Sequence, residues 1–268
     1  MSFELVERTA PHALAGVVRR YAGFREQIGE PVRRREPASE SVPLILNFGP
    51  ALRVGGAGAP AFEVGSFAAP LTDGYAITET GTFSYGLQVD LTPLGAYTVL
   101  GVPMGELTDL VVPLDDLLGT ELPLLEEELF LAADWPARFR VLDRFILRRI
   151  ERGRAPSPEV ARGWRRLEHS RGRLPVGRLA AELGCSRRHL SARFREQVGV
   201  APKTAARILR FREAAGLLAA ADGQSLAGIA HACGYYDQAH LNRDFRKMAG
   251  ASPRSFLAAR RPDGGIAA

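Results

Sequence analysis

The chain has 268 residues, of which 46% are hydrophobic and 24% charged, a balance that is ordinary for globular proteins and excludes a disordered or fibrous chain. No run of about 18 apolar residues is present, so no membrane-spanning helix is expected, and residues 1–14 lack the apolar segment of a secretory signal. The two cysteines, Cys185 and Cys233, imply no disulfide framework. A reducing cytoplasm is therefore the expected compartment.

Charge divides the sequence into two unequal halves. Residues 1–136 contain 8 Arg and 19 Asp or Glu, a net charge of −11, whereas residues 137–268 contain 27 Arg or Lys and 11 Asp or Glu, a net charge of +16. Such a basic half is typical of a segment that meets a polyanion, although a solvated basic surface has the same composition. Counterion release from nucleic acid would supply most of its non-specific affinity.

The first third of the chain predicts strands. Residues 41–48 are an apolar strand pattern, and residues 51–67 predict two short strands around a glycine-rich turn. Residues 75–91 alternate in pieces around Gly81 and Gly86, as a hairpin does.

Other segments complete a predicted N-terminal domain over residues 1–121, β-rich and barrel-like or sandwich-like, that senses an effector or dimerises. Residues 13–26 fit a short helix or a strand. Residues 94–119 predict short helices broken by Pro103 and Pro113.

Residues 122–157 predict amphipathic helices and a linker. Apolar residues at 135, 139, 142, 145, 146 and 150 have i, i+3, i+4 spacing, which predicts a helix that begins near Trp135 and Pro136. Its apolar stripe requires a partner, either the core of its own domain or a second subunit. We expect this helix to be a subunit contact or a transmission element, followed by a linker at 153–158.

The last hundred residues contain an internal repeat. Residues 178–202 match residues 228–253 at an offset of 50 before a turn and 51 after it, so that Gly199 corresponds to Gly250. One extra residue enters the second copy at the turn. Repeats of this length indicate a duplicated supersecondary unit.

Each copy has the plan of a helix-turn-helix. Gly184 and Gly234 stop a first helix where a left-handed backbone is needed. Ser186 and Asp237 then cap a second helix by accepting its free N–H groups. The predicted core residues of the second helices are Leu190, Phe194 and Val198 in the first copy and Leu241, Phe245 and Met248 in the second.

A helical rod joins the two copies, which lie at about 176–198 and about 226–249. Residues 203–220 follow Pro202, which suits a first helical turn, and about 18 residues at about 1.5 Å each give about 27 Å of helix. This length is near one turn of B-DNA, about 34 Å. One chain is therefore expected to place both second helices in adjacent major grooves.

The sequence ACGYYDQAHLNRDFRKMAGASPRSF and the duplicated arrangement resemble the C-terminal DNA-binding domain of the AraC/XylS family of bacterial transcription regulators. The resemblance covers residues 158–262 and implies an all-α, seven-helix domain that binds double-stranded promoter DNA, usually as a homodimer, with RNA polymerase as a possible partner. Residues 1–150 resemble, more loosely, an acidic N-terminal domain of actinobacterial regulators, on the stretch GLQVDLTPLGAYTVLGVP. The expected fold class is α+β with two domains, and the expected location is the cytoplasm, on the nucleoid when DNA is bound.

The resemblance places the outward side chains of both second helices against DNA. The expected base contacts are Arg187, Arg188 and Ser191 in the first copy and Gln238, His240, Asn242 and Arg243 in the second. The expected phosphate contacts are Arg195, Arg246, Lys247 and Arg254. Arg suits guanine, and Asn and Gln suit adenine, although each of these residues also fits a solvated surface. Arg193 and Asp244 are expected to form internal salt bridges instead.

No catalytic constellation is found in the sequence, and no metal or other cofactor is expected. The stretch 56–61 lacks the third glycine of a dinucleotide-binding loop, because Ala61 stands there. Histidine is absent between residues 12 and 169, so a barrel in this region has no His metal centre. The residue types of Cys185, His189, His231, Cys233 and His240 suit zinc, but their spacing does not.

The leading hypothesis is a sequence-specific transcription regulator controlled by a small-molecule effector. Seven aromatic residues form a possible effector pocket, although the same residues also fit a plain core: Phe48, Phe62, Phe67, Tyr75, Phe83, Tyr85 and Tyr97. Two alternatives remain. In the first, the N-terminal domain is an enzyme that the C-terminal domain recruits to DNA. In the second, it is a ligand-free dimerisation domain.

Overall fold

The structure is a computed structural model that describes residues 2–56, 60–109, 111–220, 224–259 and 266–267. The strands are β1 (Ser2–Thr9), β2 (Val18–Gln27), β3 (Val32–Glu36), β4 (Val42–Asn47), β5 (Leu52–Gly56), β6 (Phe62–Val64), β7 (Phe67–Ala68), β8 (Ala76–Thr80), β9 (Phe83–Leu91), β10 (Val112–Pro113) and β11 (Ile266–Ala267). The helices are α1 (Pro93–Leu100), α2 (Leu114–Leu118), α3 (Glu121–Leu131), α4 (Trp135–Arg152), α5 (Pro158–His169), α6 (Val176–Glu182), α7 (Arg187–Val198), α8 (Pro202–Ala220), α9 (Leu226–Ala232), α10 (Gln238–Ala249) and α11 (Pro253–Ala259). Short 3-10 helices lie at His12–Leu14 and Met104–Glu106.

Two antiparallel sheets build the N-terminal domain, which confirms the predicted β-rich class. The six-stranded sheet has the order β1-β2-β9-β4-β7-β10, and the five-stranded sheet has the order β11-β3-β8-β5-β6. Strand β4 shows the period-2 pattern behind this fold, since Val42, Leu44 and Leu46 are buried while the residues between them are half-exposed. Residues 13–26, for which the sequence fits a short helix or a strand, include the end of the first 3-10 helix and most of β2.

The predicted amphipathic helix is confirmed as α4, and its apolar stripe packs on the six-stranded sheet of the same chain. The rings of Tyr21 and Phe139 lie 5.7 Å apart. The indole of Trp135 covers Gly23, where a Cβ atom would come within 2.3 Å of the ring, so only glycine allows this approach. The Trp135 Nε1–H donates a hydrogen bond to Glu4 at 2.8 Å.

The predicted hairpin over residues 75–91 is wrong. Strand β8 pairs with β3 and β5, whereas β9 pairs with β2 and β4 in the other sheet. Gly86 is not a turn residue. It lies inside β9, where a Cβ atom would come within 2.6 Å of the Leu46 carbonyl oxygen. The strand pair predicted within 51–67 is confirmed as β5 and β6, although residues 57–59 of its turn lie outside the described residues.

The C-terminal helices share one continuous core with the N-terminal domain, because Met104 and Leu107 join the same cluster as Val160 and Trp164. Strand β11 extends this union, since it pairs with β3 and buries Ile266 completely. The predicted C-terminal domain ends at residue 262, so the prediction did not include β11. Residues 260–262 themselves lie outside the described residues. Within the described ranges, no helix has the length and apolar character needed to cross a membrane.

Candidate nucleic-acid interface

Two helix-turn-helix units are present, formed by α6 with α7 and by α9 with α10. Gly184 and Gly234 have φ angles of +68° and +75°, the left-handed conformation predicted at both turns. The Ser186 hydroxyl caps α7 by accepting a backbone N–H at 3.1 Å, and the Asp237 carboxylate caps α10 in the same way at 2.6 Å. The sequence signals for both turns and both caps are therefore confirmed.

The inward faces of the reading helices, α7 and α10, are fully buried. Six predicted core residues have no exposed surface: Leu190, Phe194, Val198, Leu241, Phe245 and Met248. The Phe245 ring contacts Phe211 of α8 at 5.0 Å and Phe256 of α11 at 5.4 Å, both edge to face. Helix α8 separates the two units and has 19 residues, which give about 28 Å at about 1.5 Å per residue.

The outward face of α7 carries the four predicted DNA-contacting residues of the first motif. Arg187 and Arg188 are exposed, and neither forms an ion pair with a described residue. The guanidinium of Arg187 lies over Gly177 of α6, where a Cβ atom would come within 2.5 Å of it. Ser191 is half-buried one turn further along, and Arg195 is exposed near the end of the helix.

The outward face of α10 is less uniform. Gln238 and Arg243 are exposed. His240 is half-buried, and its ring packs edge-on at 5.1 Å from the buried Tyr235. Asn242 is also half-buried, and its Oδ1 is covered and has no hydrogen-bond partner among the described residues. A two-bond contact to adenine needs both the carbonyl oxygen and the NH2 group of the Asn242 amide. This side chain must therefore turn outward to make it.

The predicted phosphate contacts of the second motif differ in their surroundings. Arg246 and Arg254 are exposed and form no ion pair within the described ranges. The Lys247 Nζ instead lies 2.7 Å from a carboxylate oxygen of Asp73, a residue of the N-terminal domain. Sequence reasoning missed this partner, since nothing in the local pattern around Asp73 signals a contact with α10.

Both predicted internal salt bridges are confirmed. Arg193 pairs with Glu196 at 2.5 Å on the same helix, and Asp244 of α10 accepts from Arg207 of α8 at 2.9 Å. Arg207 also pairs with Asp73 at 2.8 Å. Burial lowers the pKa of Arg207, but its hydrogen bond to Asp244 and the charges of both carboxylates outweigh burial, so the pKa lies above its usual value.

One cluster in the first motif was not predicted. The His189 Nε2 of α7 lies 3.2 Å from the carboxylate of Glu159 on α5, next to Cys185 in the turn. Partial burial and the hydrogen bond to Glu159 raise the pKa of the Cys185 thiol to about 11, so the thiol stays protonated at neutral pH. No group of three or more His, Cys, Asp or Glu among the described residues is arranged to hold a metal ion.

The first matches to known proteins cover the duplicated helix-turn-helix segment. Residues 179–259 match the family model described as a helix-turn-helix domain. The DNA-binding domain of AdpA, a global transcriptional factor solved in complex with a target DNA, is 34% identical over 38% of this chain and 93% of that chain, with a TM-score of 0.36. A transcriptional regulator with an AraC-type DNA-binding domain from Chromobacterium violaceum is 27% identical over 40% of this chain and 96% of that chain, with a TM-score of 0.36.

Residues 179–259 of the chain therefore form a helix-turn-helix domain of the AraC type. ToxT from Vibrio cholerae matches this chain over 96% of its length and over 98% of ToxT, with 11% identity and a TM-score of 0.51, a likeness of the fold alone. The comparison with curated proteins gave no match.

The N-terminal domain contacts the ends of α7 and α10 at corresponding places in the two repeats. The Thr108 hydroxyl donates to the carbonyl of Gly199 at 2.6 Å, at the end of α7. Arg35 donates to the carbonyl of Gly250 at 3.2 Å, at the end of α10. These glycines correspond in the two repeats. Together with the Asp73–Lys247 ion pair, the two contacts are named the interdomain clasp.

The predicted effector pocket is not assembled as one site. Phe48, Phe83 and Tyr85 lie together, with centroid distances of 5.4 and 6.4 Å from Tyr85 to the other two rings, beside Trp135 at the start of α4. The remaining four are dispersed: Phe62 is exposed, Phe67 packs on Val54 and Val64, Tyr75 contacts Gly250, and Tyr97 is in the main core. Phe67, Tyr75 and Tyr97 have local packing roles, which a composition-based prediction cannot separate from a pocket.

A charged cavity of about 280 Å³ lies between the N-terminal domain and the helices of the AraC-type domain. Its lining residues are Arg19, Glu40, Glu168, Arg171, Leu209, Arg212 and Glu213. Arg19 spans the boundary, since it pairs with Glu40 at 3.9 Å and with Glu168 of α5 at 2.5 Å. Arg212 is exposed and has no ion-pair partner among the described residues.

Proposed function

We propose that this AraC-family regulator reads promoter DNA with α7 and α10 in successive major grooves, and that its N-terminal domain controls the reading through the interdomain clasp. The observation that carries this proposal is the clasp itself, which engages Gly199 and Gly250 at the same position of each repeat. One domain thereby influences where each reading helix lies relative to the other. Reading requires that relative position to match grooves about 34 Å apart.

Side-chain chemistry divides the DNA contacts into two groups. We assign base contacts to Arg187, Arg188, Ser191, Gln238, His240, Asn242 and Arg243, and phosphate contacts to Arg195, Arg246, Lys247 and Arg254. The net charge of +16 over residues 137–268 favours a polyanion partner. We retain the division into residues 1–121, 122–157 and 158–262, with β11 as an addition to the first part.

Asp73 competes with DNA for Lys247. A phosphate that approaches α10 must replace the Asp73 carboxylate, which already neutralises the lysine at 2.7 Å. Asp73 also pairs with Arg207, which in turn pairs with the nearly buried Asp244. The competing carboxylate is therefore held in place from two sides, and the N-terminal domain weakens the contact between α10 and the DNA backbone.

We place the effector in the charged cavity rather than among the predicted aromatic residues. The cavity is lined from both sides of the domain boundary, so a ligand there has different contacts when the domains separate, as a population shift requires. Arginine and glutamate side chains line it together, and the guanidinium of Arg212 has no ion-pair partner within the described part of the chain. The expected effector is a small polar molecule that carries an anionic group.

The homodimer is assigned to the outer surface of α3 and α4. Four apolar residues are exposed there: Leu124 (63%), Phe130 (73%), Leu131 (74%) and Leu147 (37%). Glu128 of α3 and Arg144 of α4 already pair with each other within the chain at 3.3 Å, which leaves the exposed Glu127 on α3 and Arg140 on α4 as opposite charges for a second chain. A two-fold axis that places α3 of one chain on α4 of the other therefore pairs opposite charges, as a self-complementary interface requires.

The DNA-reading roles are tested by comparing Arg243→Ala with Lys247→Ala. Each variant is titrated with a duplex that the wild-type protein selects from a randomised pool and with a scrambled duplex. Arg243→Ala should lose affinity for the selected duplex only, since a guanine contact contributes about 1–3 kcal/mol of discrimination. Lys247→Ala should weaken both duplexes equally and lower the salt slope. Equal losses on both duplexes for Arg243→Ala would contradict its base-reading role.

A thermal-shift screen separates effector control from a ligand-free dimerisation domain. Stabilisation of the full-length protein by anionic polar metabolites, lost in Arg212→Ala, supports the effector site. Stabilisation by no metabolite class favours the ligand-free alternative. Turnover of a metabolite by the N-terminal domain would instead support the fused-enzyme alternative.

A further inference from the structure

Tyr236 is almost entirely exposed to solvent, with 94% of its surface accessible. It lies in the turn of the second helix-turn-helix, between the buried Tyr235 and the helix cap Asp237. The Tyr235 ring packs on His240, and the Asp237 carboxylate accepts the first free N–H of α10. The packing of Tyr235 and the capping bond of Asp237 fix the backbone around Tyr236. The Tyr236 side chain itself has no such contact among the described residues.

The repeat identifies Tyr236 as the extra residue of the second copy. In the first copy, Cys185 alone separates the turn glycine from the helix cap. In the second copy, both Tyr235 and Tyr236 occupy that interval. Tyr235, 4% exposed, takes the inward place of the half-buried Cys185. The first copy closes its turn without a counterpart of Tyr236, so the fold does not require this residue.

The position of Tyr236 is close to where DNA would lie. The first residues of a reading helix contact base edges, and the chain just before the helix passes the groove wall. Tyr236 directly precedes the cap of α10 and stands two residues before Gln238. Tyr236 therefore stands at the end of the helix, where the flanking DNA backbone would pass, rather than on the outward face that carries Arg243.

We infer that Tyr236 is a DNA-backbone contact found only in the second motif, in which the ring packs on a deoxyribose and the hydroxyl donates to a phosphate oxygen. This inference rests on the proposed placement of α10 in the major groove. A tyrosine combines an apolar body with a polar tip, which matches a sugar next to a phosphate. Tyrosine is among the side chains that donate to DNA phosphates, and such contacts fix register without reading sequence.

The test uses full-length Tyr236→Ala and Tyr236→Phe on the selected and scrambled duplexes. Tyr236→Ala should weaken both duplexes about 5- to 10-fold, and Tyr236→Phe about 2- to 5-fold, because only the hydroxyl is lost. The salt slope should stay unchanged, since a neutral donor displaces no counterion. Phe3→Ala is the matched control, because it removes another exposed ring, 52% exposed, on β1. It should leave DNA binding unchanged.

Two results would overturn the inference. Binding by Tyr236→Ala within twofold of wild type shows that the ring does not contact DNA, and a loss confined to the selected duplex shows that it contacts a base. Arg243→Ala separates this failure from failure of the proposed function. If Arg243→Ala loses its preference while Tyr236→Ala binds normally, only the inference fails. If neither variant changes binding, α10 is not in the groove and both fail.

Discussion

Replacing Asp73 by Asn should strengthen DNA binding by about two- to fivefold. Arg207 keeps Asp244 as its partner in this variant, so only Lys247 loses its counter-charge. Because half of the Lys247 side chain is exposed (50%), its pair with Asp73 contributes at most about 1 kcal/mol. The wild-type protein loses this stabilisation when a phosphate replaces Asp73 as the partner of Lys247. A loss of about 1 kcal/mol corresponds to about a fivefold increase in Kd.

Fluorescence anisotropy titrations between about 50 and about 200 mM salt measure both the gain and its origin. In Asp73→Asn the salt slope should become steeper, because in the wild-type protein the carboxylate freed from Lys247 takes up a cation that partly offsets the cation released from DNA. Asp116→Asn on α2 is the control, since it changes net charge equally at an exposed residue without an ion pair among the described residues. The reasoning is refuted if both variants bind alike, or if the gain persists when Lys247→Ala is added.

Three further predictions concern the reading helices. Phe245→Ala should lower the free energy of unfolding by about 3–5 kcal/mol in a denaturant titration, because the ring is fully buried; a loss below about 1 kcal/mol would contradict the core role. Asp237→Ala should lower it by about 1 kcal/mol, while Asp237→Ser, which can still cap α10, stays near wild type. The Cys185 thiol, with its pKa raised to about 11 by burial and by Glu159, should react slowly with iodoacetamide at pH 8 and faster as the pH rises toward 11; the rate of an ordinary exposed thiol at pH 8 would refute that environment.

Local signals in the sequence predicted the C-terminal helix-turn-helix domain well. A cap, a turn glycine and an apolar spacing each act within a few residues, and Ser186, Asp237, Gly184 and Gly234 all have the predicted roles. Helix α4 was found for the same reason, because its periodicity is encoded within one segment.

Features that depend on distant partners were not predictable. Nothing between β8 and β9 indicates that the two strands join different sheets, and nothing near residue 266 indicates a return to β3. The Asp73–Lys247 contact joins residues 174 positions apart. The dispersal of the seven aromatic residues was not predictable, because an aromatic residue in a strand has the same pattern whether it lines a cavity or fills a core, as Phe67 does.

The central claim is that one chain reads two successive major grooves on one face of a duplex. Guanine-methylation interference on the selected duplex, in complexes that contain one protein chain, tests this most directly. We predict two sensitive segments whose centres are about 10–11 base pairs apart on the same face, with Arg243→Ala abolishing interference in one of them. A single sensitive segment, or two segments on opposite faces of the duplex, would contradict the account.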